Sequence, residues 1–447
     1  MTLRGCSLAL IFGVAASAAP TASVPTFSKD VLPILQKNCQ GCHRPGETAP
    51  MSFMSYKEAR PWAKAIKGAV LTKKMPPWLA DPHYGQFLNE RKLTESEVQT
   101  IVSWADGGAP EGNQKQAPKP VAWVQGWNIG QPDQVFAMPK PFTVPATGTI
   151  EYQYVIIPTG FTRDTWIQSA EMRPGDRTVV HHVIAFIRPP GSKWLQGGPI
   201  GEAFVPQRAA RSRQKAEAAG ADEAASMVGT ELLVGYAPGL QEQKFVPGQA
   251  RLIPAGSDIV FQIHYTANGK SEVTDVSKVG LVFTKGEPKE RVVTLTATQA
   301  RFAIPPGDSN YEVKSSFTLQ DDSALVWLMP HMHLRGKDFI YTAVYPTGEK
   351  QVLLSVPKYD FSWQLAYETA KPVVLPKGTR IECVAHFDNS PNNKFNPDPT
   401  KEVHWGDQSW EEMMIGWFGV VIDSKADPMK LYFGDKAPKK TNAKSGD

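Results

Sequence analysis

The spacing of apolar positions changes part-way along this chain. Before about residue 112 it is helical. Val98, Ile101, Val102 and Ala105 fall at i, i+3, i+4 and i+7 and predict a helix that stops at Gly107-Gly108. Thr94-Glu95-Ser96-Glu97 just before it is a capping box, in which the threonine hydroxyl and the Glu97 carboxylate satisfy first-turn N–H groups reciprocally. Ser55-Tyr56-Lys57-Glu58 repeats the device, and Ser28 opens a third helix through Val31, Leu32, Ile34 and Leu35 that delivers the chain to Cys39. These signals predict a small helical domain over residues 25–112. The run from Ala109 to Pro120, with Pro, Gly, Gln and Lys, ends it and supplies a linker over residues 113–120.

Beyond the linker the texture is that of strands. Tyr152-Tyr154-Ile156, Val179 to Ile187, Ile259-Phe261-Ile263 and Leu325 to Met329 are short, rich in β-branched and aromatic residues, and separated by Pro and Gly turns. That pattern predicts all-β sandwiches. A break from Lys285 to Glu290 divides them into portions over residues 121–288 and 289–435. Pro206 to Met227 is Ala/Arg/Glu-rich and predicts a helical insertion, and residues 436–447 are polar, lysine-rich and predicted to be disordered.

The first 18 residues carry a secretory pattern: Arg4, an apolar stretch from Leu8 to Ala16, and a small-residue cleavage site at Ala16-Ser17-Ala18. The expectation is an exported chain, periplasmic or secreted, with no membrane span, since no apolar stretch is long enough for one. The formal charge of +4 falls to +3 once Arg4 is cut away, a balance that argues neither for nucleic acid nor for a membrane surface as partner. Of four cysteines Cys6 leaves with the signal, Cys39 and Cys42 share a motif, and Cys383 is left over. No pair remains to staple the β region, and Cys383 reads as a small buried apolar residue.

Cys39-Gln40-Gly41-Cys42-His43 is the haem c attachment pattern. Thiols at i and i+3 on a turn of helix would add to the two haem vinyl groups, and the adjacent His43 would become the proximal iron ligand. Met75, in Lys-Met-Pro-Pro-Trp, is the preferred opposite ligand, with Met51, Met54 and His83 as alternatives. A His/Met pair would raise the potential. A zinc site is disfavoured because no second cysteine pair completes it.

Five of the nine histidines form a pair, a single and a pair: His181-His182, His264, and His331-Met332-His333. On a strand, His331 and His333 face one side and can hold one ion. Adjacent His181 and His182 face opposite sides, so joint binding needs a bulge or a strand end. Imidazole suits copper among other metals, and a thioether such as Met413 in Glu-Glu-Met selects Cu(I).

Val180-His181-His182-Val183, Gln262-Ile263-His264-Tyr265, His331-Met332-His333-Leu334-Arg335-Gly336-Lys337 and Glu411-Glu412-Met413 come in the order found in a known family. Over about residues 120–435 the chain resembles the copper type II (ascorbate-dependent) monooxygenases, which include the peptidylglycine α-hydroxylating and dopamine β-monooxygenases. The resemblance implies two jelly-roll-like sandwiches facing each other across an open cleft. It implies an electron-storing copper on His181, His182 and His264, and an oxygen-activating copper on His331, His333 and Met413, with Met414 as the alternative methionine. The expected fold class is therefore multidomain, a small all-α cytochrome c domain followed by two all-β jelly-roll-like sandwich domains. The expected function is hydroxylation of a C–H bond of a small-molecule substrate with O2. One covalent haem c and two coppers would serve it, with electrons reaching the haem from an external donor or an ascorbate-like reductant. The alternative is an electron-transfer or copper-binding protein without oxygenase activity. His386 and His404 lie near the second set in sequence and are candidates to orient its ligands.

Overall fold

A computed structural model describes residues 23–124, 126–206, 230–240 and 242–437. The residues read as a signal segment, residues 207–229, which span the expected helical insertion beyond Pro206, and the tail from residue 438 lie outside the described residues. The chain divides into two compact units, Met1–Pro76 with Leu93–Val121, and Pro77–Lys92 with Ala122–Asp447.

In the first unit the capping box forms at Thr94, whose hydroxyl accepts from the Glu97 N–H at 3.2 Å while Glu97 accepts from the Thr94 N–H at 2.7 Å. It starts Glu95–Asp106, the longest described helix. That helix buries Ile101 and Trp104 against Val31, Leu35, Ile66 and Val70, so its inner face is centred one turn later than Val98. Ser55 also caps its helix, but Tyr56–Ala59 lasts one turn. The proline of Arg60-Pro61-Trp62 cannot donate to the ladder, and a 3₁₀ turn takes over.

The second unit is built of sheet. One four-stranded sheet runs Gln153–Pro158, Asp258–Tyr265, Val180–Arg188, Glu231–Tyr236, and another runs Tyr311–Thr318, Arg380–Phe387, Gly336–Val344, Lys350–Val356. Both pack on a nine-stranded sheet whose path is Gln134–Ala137, Lys278–Phe283, Thr165–Arg173, Gln249–Ile253, Glu290–Thr298, Ile415–Asp423, Ser323–His331, Tyr367–Leu375, with Gln243–Lys244 pairing off the path with Thr165–Arg173.

The expected fold class is corrected by this architecture. Strand dominates the described residues, the helices are short, and they do not build an all-α cytochrome c domain. The reason is local. The segment read as a helical turn lies past the end of Leu32–Asn38, and residues 39–55 are turns and bends. The sandwiches are not independent either. Gln249–Ile253 pairs in parallel with Glu290–Thr298 through Gln249↔Glu290 and Ala250↔Arg291, so the break at 285–290 is a crossing within one sheet.

The first four-stranded sheet is buried on both faces, which explains its near-continuous apolar sequence. Val155, Ile157, Val183 and Ile263 enter one core, while Tyr154, Ile156, Phe186 and Val260 enter another that also holds Leu328, Phe339, Tyr367 and Phe418. The second face of this sheet is where the histidines lie.

Candidate metal centre

His182 and His264 are direct partners across two antiparallel strands, and the register shifts between Val180 and His182. His181 is thus the extra residue of a bulge, the distortion that two adjacent histidines need to turn the same way. The result is a nest in which ring nitrogens of His181, His182 and His264 all lie within 4.8 Å of one another. His181 Nδ1 and His182 Nδ1 are 3.1 Å apart, and His264 Nδ1 is buried with no hydrogen-bond partner. Tyr152 stacks on the His264 ring at 4.7 Å and 9°. Burial lowers the His181 pKa. Burial, reinforced by the neighbouring rings, holds His182 well below the usual imidazole range and takes His264 to about 3. All three are neutral near pH 7 and present lone pairs. A buried convergence of neutral nitrogens, one of them orphaned, fits a borderline-soft cation.

The second set is oriented by carbonyl oxygens. Gln364 Nε2 donates to the Phe361 carbonyl at 2.9 Å and to Tyr359 Oη at 3.0 Å, which turns its Oε1 toward His331 Nδ1, 3.0 Å away. His331 Nδ1 must then carry the proton, leaving Nε2 as the lone pair. His333 Nδ1 donates to the Glu411 carbonyl at 3.1 Å with the same result. Fixing a ligand histidine through its other nitrogen is a recurring feature of metal sites. The rings stand 5.2 Å apart at 87°, and burial lowers the pKa of both. Beneath them Glu412, wholly buried, accepts the His333 N–H at 2.8 Å and the Arg335 N–H at 2.6 Å. Burial pushes its carboxyl up to about 8 against those bonds.

The ladder between Ser323–His331 and Ile415–Asp423 ends at His331↔Ile415. Residues 332–333 and 413–414 follow the two strands, where an unbroken register would set Met413 opposite His333 and Met414 opposite Met332. The strands stop at His331 and Ile415, so the ladder alone does not place the Met413 sulfur, which is buried in the main core as Met414 is. Met332 packs on Gly336, its Cβ 2.7 Å from where a side chain on that glycine would begin. Met413→Ile should keep Cu(II) binding through two imidazoles and weaken Cu(I), the ion that wants sulfur. Met414→Ile should change neither. Copper titrations in both oxidation states check this, and equal effects would reject Met413 as the ligand.

The two sets are neighbours. Phe361 stacks on His181 at 5.8 Å and 16° and meets His333 edge-on at 5.8 Å and 79°, so those imidazoles lie no further apart than twice that spacing. A phenyl ring stands where the resemblance implied open cleft.

The remaining expected residues are placed as follows. In the first unit the Cys39 carbonyl accepts from the Cys42 and His43 N–H groups at 3.1 and 2.9 Å, which sets both thiols and the imidazole on one turn. Burial and the adjacent Cys42 sulfur push the Cys39 thiol up to about 12. His43 stacks on Phe53 at 4.3 Å and donates Nδ1–H to the Met51 carbonyl at 3.2 Å, leaving the lone pair on Nε2. Met51 packs on that unit's core, whereas Met75 is half-buried and not among the described side chains packed there. His83 belongs to the other unit and pairs with Asp81 at 2.6 Å. His386 pairs with Asp338 at 2.7 Å and His404 with Glu402 at 3.0 Å. Neither ring hydrogen-bonds a set residue, although the His404 carbonyl accepts the Glu412 N–H at 3.0 Å. Cys383 is buried under Gly416, as its reading anticipated. Sequence reasoning missed Gln364, Tyr359, Phe361 and the role of Glu412. Only Glu412 had a signal, its place beside Met413.

No family model matches this chain, and no curated protein does. Among solved structures it is similar to capsids of infectious bursal disease virus, for instance the Gt strain at TM-score 0.18 and 11% identity over 71% of this chain and 76% of that one. It is also similar to PNGF-II at TM-score 0.23 and 10% identity over 66% of this chain and 63% of that one.

Proposed function

We propose that this protein is an exported monooxygenase that hydroxylates a C–H bond of a small substrate with O2, using two coppers and a covalent haem c. The observation that carries the reading is the convergence of His181, His182 and His264, one nitrogen of which is buried without a partner, beside a second set with both Nδ1 atoms anchored. Among the described residues no helix is long and apolar enough to cross a membrane.

The chain's own residues do three things for this chemistry. Burial keeps the five imidazoles neutral, so a cation meets lone pairs and not protons. Gln364 and the Glu411 carbonyl hold the proton on Nδ1 of the second set and leave Nε2 as its lone pair, and Met413 would add a soft donor beside it. Cys39, Cys42 and His43 supply two thiols and an imidazole on one turn. Bound there, copper would supply one-electron cycling and oxygen activation, and haem would supply single electrons from an external donor.

Metal analysis tests the reading. Protein matured in a host that attaches haem c should carry about two coppers per haem after copper loading, and the haem should stay on the unfolded chain through acid–organic extraction. A protein that takes up no copper would end the proposal.

A further inference from the structure

One side chain between the histidine sets has no part in holding a metal. Phe361 is the second residue of a turn closed by the Trp363 N–H to the Asp360 carbonyl at 2.9 Å. The loop is pinned on either side. Tyr359 Oη accepts the Met332 N–H at 3.1 Å and donates to the Met332 carbonyl at 2.8 Å, and Gln364 holds His331. Between these pins Phe361 is only half-buried, and Ser362 is exposed. The Phe361 ring packs on the edge of the main core. It is also flanked by two imidazoles and borders a cavity of about 400 Å³.

That volume suits a small molecule. Leu334, the neighbour of His333, forms one wall, with Tyr359, Phe361 and the half-exposed Phe395 supplying rings. At the rim Lys337 and Lys358 are matched by Asp360 and Asp388, so the lining has no net charge to attract an ion. Aromatic walls and a balanced rim favour a neutral, flat ligand, since offset and edge-on ring pairs gain beyond their buried area.

We propose that this cavity takes a small neutral aromatic molecule and that Phe361 is its gate, its ring occupying the place between His181 and His333 that the ligand's ring takes when the phenyl side chain rotates out of the fixed turn. The inference rests on the monooxygenase reading for what the ligand would then meet, and on geometry alone for the cavity and the gate.

The test uses metal-free full-length protein and phenol as the probe. A site open in only a fraction of molecules binds with an affinity reduced by that fraction, so a ring in place nine-tenths of the time hides about tenfold. Phe361→Ala should bind phenol at least about tenfold more tightly than the wild type by titration calorimetry. Diethylpyrocarbonate should modify His181 and His333 faster in that variant, and phenol should slow it. Phe361→Leu, which keeps an apolar branch to fill the turn, gives the same comparison if the alanine protein unfolds. Binding unchanged within about threefold in a folded variant, or no phenol binding in any, overturns the gate. Copper stoichiometry, measured separately on the same proteins, reports on the metal reading, so the two can fail independently.

Discussion

His264→Ala is expected to lower the copper content by one per chain and to leave the second set able to bind. His264 is one of three converging donors, and its Nδ1 is buried without a partner. Removing a residue that merely supports a ligand costs roughly 10–100-fold in metal affinity, and removing the ligand itself should cost more. The loss should stay local, because His331 and His333 are anchored by Gln364 and the Glu411 carbonyl, not by the first set. Copper analysis after dialysis, with spin quantification of Cu(II), reads the result. Equal loss from both sets would mean that the five imidazoles make one shared site.

Glu412→Ala should destabilise the fold more than any ligand change and weaken the second set as well. Its two oxygens each accept one backbone N–H, from His333 and Arg335, in a place with no exposure to water. Each donor left unsatisfied there costs about 1–3 kcal/mol, so a loss of several kcal/mol is expected in urea unfolding. The same bonds hold the backbone of His333, so copper at the second set should bind about 10–100-fold more weakly while the first is unchanged. Glu412→Gln keeps one acceptor and should fall between. A loss under about 1 kcal/mol in the alanine variant would show that the His333–Arg335 segment is held by other means.

What could be read from the sequence was local. The capping boxes, the Cys39–His43 turn and the need for a bulge at His181-His182 each follow from residues within one helical turn or one strand step. The shared sheet did not show, because its parallel rungs join Gln249 and Ala250 to Glu290 and Arg291 across some forty residues with no motif at either end. The all-α cytochrome c domain was over-read for the opposite reason, since two capping boxes look alike but Pro61 ends one helix after a turn. The preference for Met413 over Met414 rests on the resemblance alone, and the ladder between Ser323–His331 and Ile415–Asp423 stops short of both. Gln364 and Phe361 sit on a loop about thirty residues beyond His331 and His333, Phe361 also meets His181 from far earlier in the chain, and nothing in a linear reading points to them.

The rungs between Gln249–Ile253 and Glu290–Thr298 also bear on how the second unit comes apart. They are reinforced by Gln249 Nε2 to Glu290 Oε2 at 2.8 Å and by the buried pair of Glu231 and Arg291 at 2.9 Å. One hydrophobic core runs from Tyr154 and Phe186 to Leu328 and Phe418 without interruption. Sub-global opening follows the boundaries of weakly joined parts, and no such boundary separates the strands bearing His182 and His264 from the strand bearing His331. The two histidine sets therefore rest on one shared core, and global unfolding of the second unit should release both together.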